Sequence, residues 1–191
     1  MVVRKIKGKG WFTIVAPGYF GGVELTRTLA SKPQELVGRR LTVSVVDLTD
    51  DVKKFYMKMI FRINEVKEDK GFTEFDVFEV MRDYLARMVV HRVRRIDIIQ
   101  DLKTKDEVGL RVKVLATTSK KAKATIEKAV RLKLADLVKN EIEKLTLEEF
   151  LKGVISGELR SSIIAESRKT YPLRNFEFRR IERIRKSLPE S

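Results

Sequence analysis

The chain of 191 residues has no cysteine, one histidine, one tryptophan and four prolines. Without thiols it can form no disulfide, bind no metal through thiolate and offer no cysteine nucleophile, which fits a cytosolic protein. The one histidine, His91, sits among Arg87, Arg92, Arg94 and Arg95. Those neighbours favour the neutral imidazole, and the residue reads as a polar or stacking group on a basic surface. No stretch approaches the roughly 20 apolar residues that span a bilayer. The first ten residues are basic and lack the apolar centre of a secretory signal. Gly8, Gly10, Gly18, Gly21 and Gly22 do not have the spacing of a phosphate loop and read as turns. Asp47, Asp50 and Asp51 are close enough to suggest a divalent ion, but a strand-ending turn capped by Asp side chains explains them more simply. No enzyme constellation, metal site, cofactor or small-molecule substrate emerges from these residues.

What is present is positive charge. Lys and Arg number 41 against 27 Asp and Glu, a net charge of +14. Such an excess points to a polyanionic partner, of which nucleic acid is the commonest. A hydrophobic fraction of 43% is enough to fill a core, and the length suits one domain with a helical annex.

The hydrophobic pattern divides the chain into a basic arm over 1–10, a β-rich stretch over 11–118, a helical region over 119–170 and a basic tail over 171–191. Trp11–Val15 is a short apolar run ended by Ala16-Pro17-Gly18, and Trp11 reads as core because it opens that strand. Ser31–Gly38 predicts one or two helical turns with Ser31 as cap and Gly38 as stop. Leu41, Val43 and Val45 alternate, as do Phe55, Met57, Met59, Phe61 and Ile63. A turn at Asp69-Lys70-Gly71 leads to a third strand with Phe72, Phe75 and Val77. About 80–93 has helical spacing. Arg95–Leu102 and Val108–Ala116 make a hairpin. In the helical region Ile126, Val130, Leu134, Leu137, Val138, Ile142 and Leu145 recur every three or four residues, and Thr146-Leu-Glu-Glu149 is a capping box. The tail alternates through Phe176 and Phe178 and then slips parity at Arg179-Arg180, which predicts a bulge or a helical turn. The expected fold is α+β: an antiparallel, barrel-like β core, closed or nearly so, with a helical C-terminal half and a C-terminal strand that returns to the core.

Four basic clusters are the candidate RNA contacts. Arg4, Lys5, Lys7 and Lys9 precede Trp11; an arm of this kind can track a phosphate backbone while the indole could stack a base. Arg82, Arg87, His91, Arg92, Arg94 and Arg95 form the second, with Arg87, His91 and Arg94 or Arg95 at helical spacing. Lys120, Lys121 and Lys123 stand at the start of a helix, where the macrodipole disfavours cations. Either an anion relieves that misfit or the lysines form a solvated end at a cost of a few tenths of a kcal/mol. Arg174, Arg179, Arg180, Arg183, Arg185 and Lys186 belong to the tail, where arginine forks suit phosphate.

Trp11-Phe-Thr-Ile-Val-Ala-Pro17 with Phe20, Leu36-Val-Gly-Arg39 and Val43-Ser-Val-Val-Asp-Leu48 together resemble the small-subunit ribosomal protein family called S-three-Ae, or eukaryotic-type S-one. The likeness continues through Arg82-Asp-Tyr-Leu85, Arg94-Arg-Ile-Asp97, Thr104-Lys-Asp106, Leu110-Arg-Val-Lys113, Glu148-Glu-Phe150 and Tyr171-Pro-Leu-Arg174. These matches run in order over nearly the whole chain. The resemblance implies a structural component of the small ribosomal subunit in the cytoplasm. It would bind ribosomal RNA at the platform near the messenger exit and touch neighbouring small-subunit proteins, with no membrane partner. It carries over Arg82, Arg87, Arg94, Arg95 and Arg174 as contact candidates. A free-standing RNA-binding protein or RNA chaperone would use the same surface. A metal-dependent nucleic-acid-processing enzyme built on Asp47, Asp50 and Asp51 is the remoter alternative. Replacing Arg179, Arg180, Arg183 and Arg185 together by Ser is expected to weaken RNA association and flatten its salt dependence in filter binding; an unchanged slope would remove the tail from phosphate contact.

Overall fold

The computed structural model describes residues 9–91, 93–120, 122–168 and 171–185. Arg4, Lys5, Lys7, Arg92, Lys121 and Lys186 from the basic clusters lie outside them. The chain forms two compact units that divide between Val77 and Phe78.

The first unit is built on strands β1 (Gly10–Val15), β2 (Glu24–Ala30), β3 (Arg40–Ser44), β4 (Met57–Lys67) and β5 (Lys70–Val80), the last running on past the boundary. They pair in the order β2-β1-β5-β4-β3. Most of the expected alternation is realised. Met57, Met59, Phe61 and Ile63 of β4 are buried, so one face of that strand is core from Met57 to Ile63. Phe12, Ile14, Ala30, Leu36 and Ile63 make one compact apolar cluster, with Leu41 and Val66 against it. The β4–β5 hairpin turns on Glu68 and Asp69, one residue earlier than Asp69-Lys70-Gly71, with Glu68 in the left-handed region at φ 53°. Phe55 lies outside β4 and is exposed, because a 3-10 turn over Val52–Lys54 precedes the strand.

Strand β2 is not announced by the sequence pattern. Its stretch Glu24-Leu-Thr-Arg-Thr-Leu-Ala30 alternates leucine and arginine with threonine, a pattern too polar to mark a buried face. It nonetheless pairs antiparallel with β1 from Gly10↔Ala30 to Val15↔Glu24. Ser31 contributes its backbone N–H to the Glu35 carboxylate (3.3 Å) rather than a side-chain cap, and the expected helix is a 3-10 turn over Pro33–Glu35. Helix α1 (Val45–Thr49) follows β3 and is capped by the Ser44 hydroxyl, which accepts from the Val46 N–H. The acidic group after it is turn chemistry. Asp50 adopts the left-handed C-cap, and the Asp51 carboxylate accepts from Lys53 N–H (3.0 Å) and pairs with Lys54.

The second unit carries β6 (Arg95–Lys103), β7 (Gly109–Thr118) and β8 (Leu173–Arg183), all antiparallel, with β7 between the other two. Among the described residues it also carries the helices α2 (Arg82–Met88), α3 (Ala124–Lys144), α4 (Leu147–Ser156) and α5 (Glu158–Ser167). The hairpin and the returning C-terminal strand stand where the pattern expects them. So does the slip in β8: Lys113 pairs with Arg180 and Val114 with Phe178, leaving Arg179 as the extra residue of a bulge. Thr146 and Glu149 form the full capping box at the start of α4. Phe150, Phe176 and Phe178 are buried edge to face, with centroids 5.6 Å and 5.3 Å apart.

The architecture is mixed α+β with its helices concentrated in the C-terminal half. Neither strand set closes on itself, so the closed or nearly closed barrel is replaced by open sheet. One pair, β1 with β5, is parallel (Thr13↔Lys70, Ile14↔Gly71, Val15↔Phe72) and departs from the antiparallel expectation. Gly71 permits that approach, since a Cβ there would stand 2.7 Å from Ile14 Cδ1. Gly71→Ala is expected to destabilise the protein by about 1–3 kcal/mol through overpacking, read as a lower urea midpoint at unchanged m-value.

Candidate nucleic-acid interface

Three chain segments meet at one end of the β6–β7–β8 sheet. The register Arg95↔Thr117↔Asn175 places the start of β6, the end of β7 and the start of β8 side by side. Their backbones are tied together beyond the ladder. Thr118 N–H donates to Arg94 O (3.0 Å), Arg94 N–H donates to the Thr118 hydroxyl oxygen (2.9 Å), and that hydroxyl donates to Lys120 O (2.6 Å). Ser119 N–H reaches Pro172 O (3.1 Å), and Arg94 Nε reaches Ala122 O (3.4 Å). Arg94, Lys120, Lys123 and Arg174 are therefore displayed from one braced corner, and all four are exposed. Lys123 is the N-cap of α3 and gives its helix no side-chain cap, so two exposed lysines of the described residues stand where the helix dipole favours an anion.

Helix α2 brings Arg82 and Arg87 to the same unit. It ends at Met88, where Val89 leaves helical geometry (φ −92°, ψ 89°). His91 and Arg94 thus lie beyond the helix, and the helical alignment of Arg87, His91 and Arg94 is not formed. What holds α2 is a buried carboxylate. Glu177 of β8, 4% exposed, accepts from Tyr84 of α2 and pairs closely with Arg160 of α5. Leu85 and Met88 bury the apolar side of the helix, leaving Arg82 and Arg87 exposed.

The outer face of the same sheet is different in kind. Arg95 forks onto Asp97 (2.7 and 2.9 Å), which also faces Arg179 (3.6 Å). Arg111 forks onto Asp101 (2.7 and 2.8 Å) and holds that carboxyl below its usual range. Lys113 and Arg180 are directly opposed across the ladder, and Glu182 answers both, at 3.2 Å and 2.5 Å. Arg180 also meets Glu79 (3.5 Å). Arg183 and Arg185 have partners within the protein as well. By contrast Arg82, Arg87, His91, Lys120, Lys123 and Arg174 make no ion pair among the described residues. The candidate cations therefore fall into two sets, one paired within the sheet and one without ion pairs, of which Arg94, Lys120, Lys123 and Arg174 share the sheet's end. Lys9 belongs to the first unit, exposed just before β1.

Two features escaped the sequence. The bracing role of Glu177, Arg160 and Tyr84 joins residues far apart in the chain, and only the fold reveals it. Trp11 is 41% exposed rather than core, because Phe12 and Ile14 take the buried side of β1.

Residues 1–187 match the Ribosomal S3Ae family. The small ribosomal subunit protein eS1 of Haloarcula marismortui is 34% identical over 179 residues, covering 94% of this chain and 84% of that protein. The protein of the same name from Methanopyrus kandleri is 35% identical over 186 residues (95% and 88%), and that from Archaeoglobus fulgidus is 34% identical over 176 residues (91% and 83%).

The buried carboxylate gives this arrangement a pH signature. Burial pushes the Glu177 carboxyl up, against the opposing pull of Arg160 and Tyr84. A carboxyl whose folded pKa is raised contributes stability that is full below its unfolded value and lost as pH rises through the folded one. Glu177→Gln is expected to flatten the decline in unfolding free energy from about pH 4 upward; a decline as steep as that of the unaltered protein would assign it to other groups.

Proposed function

Because the chain belongs to the Ribosomal S3Ae family, we propose that it is a structural component of the small ribosomal subunit that holds ribosomal RNA through the basic end of its β6–β7–β8 sheet. The observation that carries this reading is the sorting of its cations. Arg94, Lys120, Lys123 and Arg174 converge on one braced corner, with Arg82 and Arg87 on the anchored helix of the same unit. Apart from the long contact of Arg94 with Ala122 O, these side chains make no hydrogen bond or ion pair among the described residues. Phosphates can therefore reach them without first displacing a carboxylate. The forked pairs of Arg95 and Arg111 would each have to be broken to serve the same purpose, and charge-assisted pairs of that geometry are the stronger kind.

The action is assembly rather than chemistry. Each phosphate neutralised releases counterions, which gives affinity with a steep salt dependence. A rigid corner built from three strand ends reads the spacing of phosphates, that is, RNA shape, more readily than base edges. Relatives named as small ribosomal subunit proteins support a place in that particle. The finer location is the platform near the messenger exit, against the 3′ region of the RNA and neighbouring small-subunit proteins. Arginines at the corner would take phosphates through both arms of the fork, whereas Lys120 and Lys123 would hold them loosely.

Replacing Arg82, Arg87, Arg94 and Arg174 together by Gln is expected to lower the slope of log K against log salt by roughly 3 for small-subunit ribosomal RNA, at about 0.7–0.9 for each phosphate no longer neutralised. Replacing Arg111 together with Asp101 by Ser and Asn is expected to leave that slope unchanged. Sedimentation of cell extract at low and high salt, with the chain followed by mass spectrometry, tests the setting. Stoichiometric retention with the small subunit in high salt supports an integral component; loss at moderate salt would make it a free-standing RNA binder.

A further inference from the structure

The exposed face of β2, β1 and β5 in the first unit carries two aromatic rings where a sheet would ordinarily be polar. Trp11 and Phe72 are each 41% exposed, although rings of this size dominate cores and interfaces. They lie on the same face. Phe12 and Ile14 are buried on the other side of β1, and the register Ile14↔Gly71 and Val15↔Phe72 sets Phe72 on the side of Trp11, Thr13 and Val15. With a rise of about 3.3 Å per residue and about 4.8 Å between strands, the backbone positions of Trp11 and Phe72 are about 14 Å apart. A short run of unpaired nucleotides covers that distance, and sheets that bind single strands stack two or three bases on such rings.

The rim of the face is cationic. Arg27 lies opposite Thr13 on β2, Lys70 lies opposite the same residue on β5, and Lys9 immediately precedes β1. All three are exposed and make no ion pair among the described residues. Lys67 places its ammonium 5.9 Å from the Phe72 ring centroid while pairing with Glu65 (3.1 Å). Glu24 lies opposite Val15, so the acids of this face are near its Phe72 end and one of them is already engaged. Flat rings separated by the half-buried Thr13 and Val15, with free cations at the sides, suit bases above the sheet and phosphates along its edges.

We propose that this face is a stacking platform for unpaired RNA, with Trp11 and Phe72 receiving bases and Lys9, Arg27 and Lys70 taking phosphates. The inference rests on the reading of the chain as an RNA binder and adds a second class of RNA, held by the first unit. Trp11 is the single tryptophan of the chain, so its emission reports on this face alone. The intact protein titrated with an oligouridylate of about 12 nucleotides is expected to show saturable quenching, and a blunt RNA duplex of about 16 base pairs is expected not to. Phe72→Leu and Trp11→Leu are each expected to weaken oligouridylate binding roughly five- to hundredfold by fluorescence anisotropy. Thermal melts check that both variants fold; where one does not, quenching of the unaltered protein decides. Binding without quenching, or binding by both variants as tight as that of the unaltered protein, overturns the platform and leaves the ribosomal reading standing. Oligouridylate left unbound while ribosomal RNA is bound overturns the platform alone. Failure to bind either RNA overturns both.

Discussion

A carboxylate out of water organises the second unit. Glu177 enters the protein from the middle of β8 and is held there by Arg160 of α5 and Tyr84 of α2. Isolated, such a charge is costly, and removing one partner of a buried pair typically costs about 3–5 kcal/mol. The three elements are thus bound to one another by the need to keep that oxygen satisfied. Apolar packing alone would let α2 settle in more than one orientation, since its seven residues bury only Leu85 and Met88. The Tyr84 contact selects one, and in doing so fixes the side from which Arg82 and Arg87 project.

The same logic of satisfied and unsatisfied charge sorts the surface. On the outer face of β6–β7–β8, acids answer Arg95, Arg111, Lys113, Arg179 and Arg180, and Glu182 relieves the direct opposition of Lys113 and Arg180, a pairing that would otherwise weaken the ladder. At the strand ends the acids stop while the cations continue. Net charge alone, +14 over the chain, conceals this division. Exposed ion pairs contribute little to stability individually, so the face is better described as quiet than as strong. Its effect is to leave Arg94, Lys120, Lys123 and Arg174 at the sheet end among the cations of this unit with charge to spare.

Much of the fold was legible because period-two and period-3.6 patterns survive wherever one face is buried. Met57 to Ile63, the hairpin around residues 103–108, the capping box at Thr146 and the parity slip at Arg179 all announced themselves. Strand β2 did not, because its neighbours cover only part of it and its threonines alternate without an apolar face. Closure of the barrel was an extrapolation from strand number, and pairing is a long-range property that no local pattern contains. The candidate cations could be named from the chain but not sorted, since whether Arg95 is free depends on Asp97 and whether Arg180 is free depends on Glu79 and Glu182. Trp11 misled for a related reason: alternation establishes that the residues of β1 face two ways, and the core took Phe12 and Ile14.

The bulge at Arg179 resets the parity of β8. Before it, Phe176 and Phe178 face inward; after it, Ile181 does. Strict alternation from Phe176 would have turned Arg180 and Glu182 into the core and Ile181 out to water. One unpaired residue therefore allows two incompatible patterns to share a strand. It also makes the halves of β8 separable in descent: each can change its sequence, or the strand its length by that one residue, while the ladder with β7 stays in register on both sides of the joint.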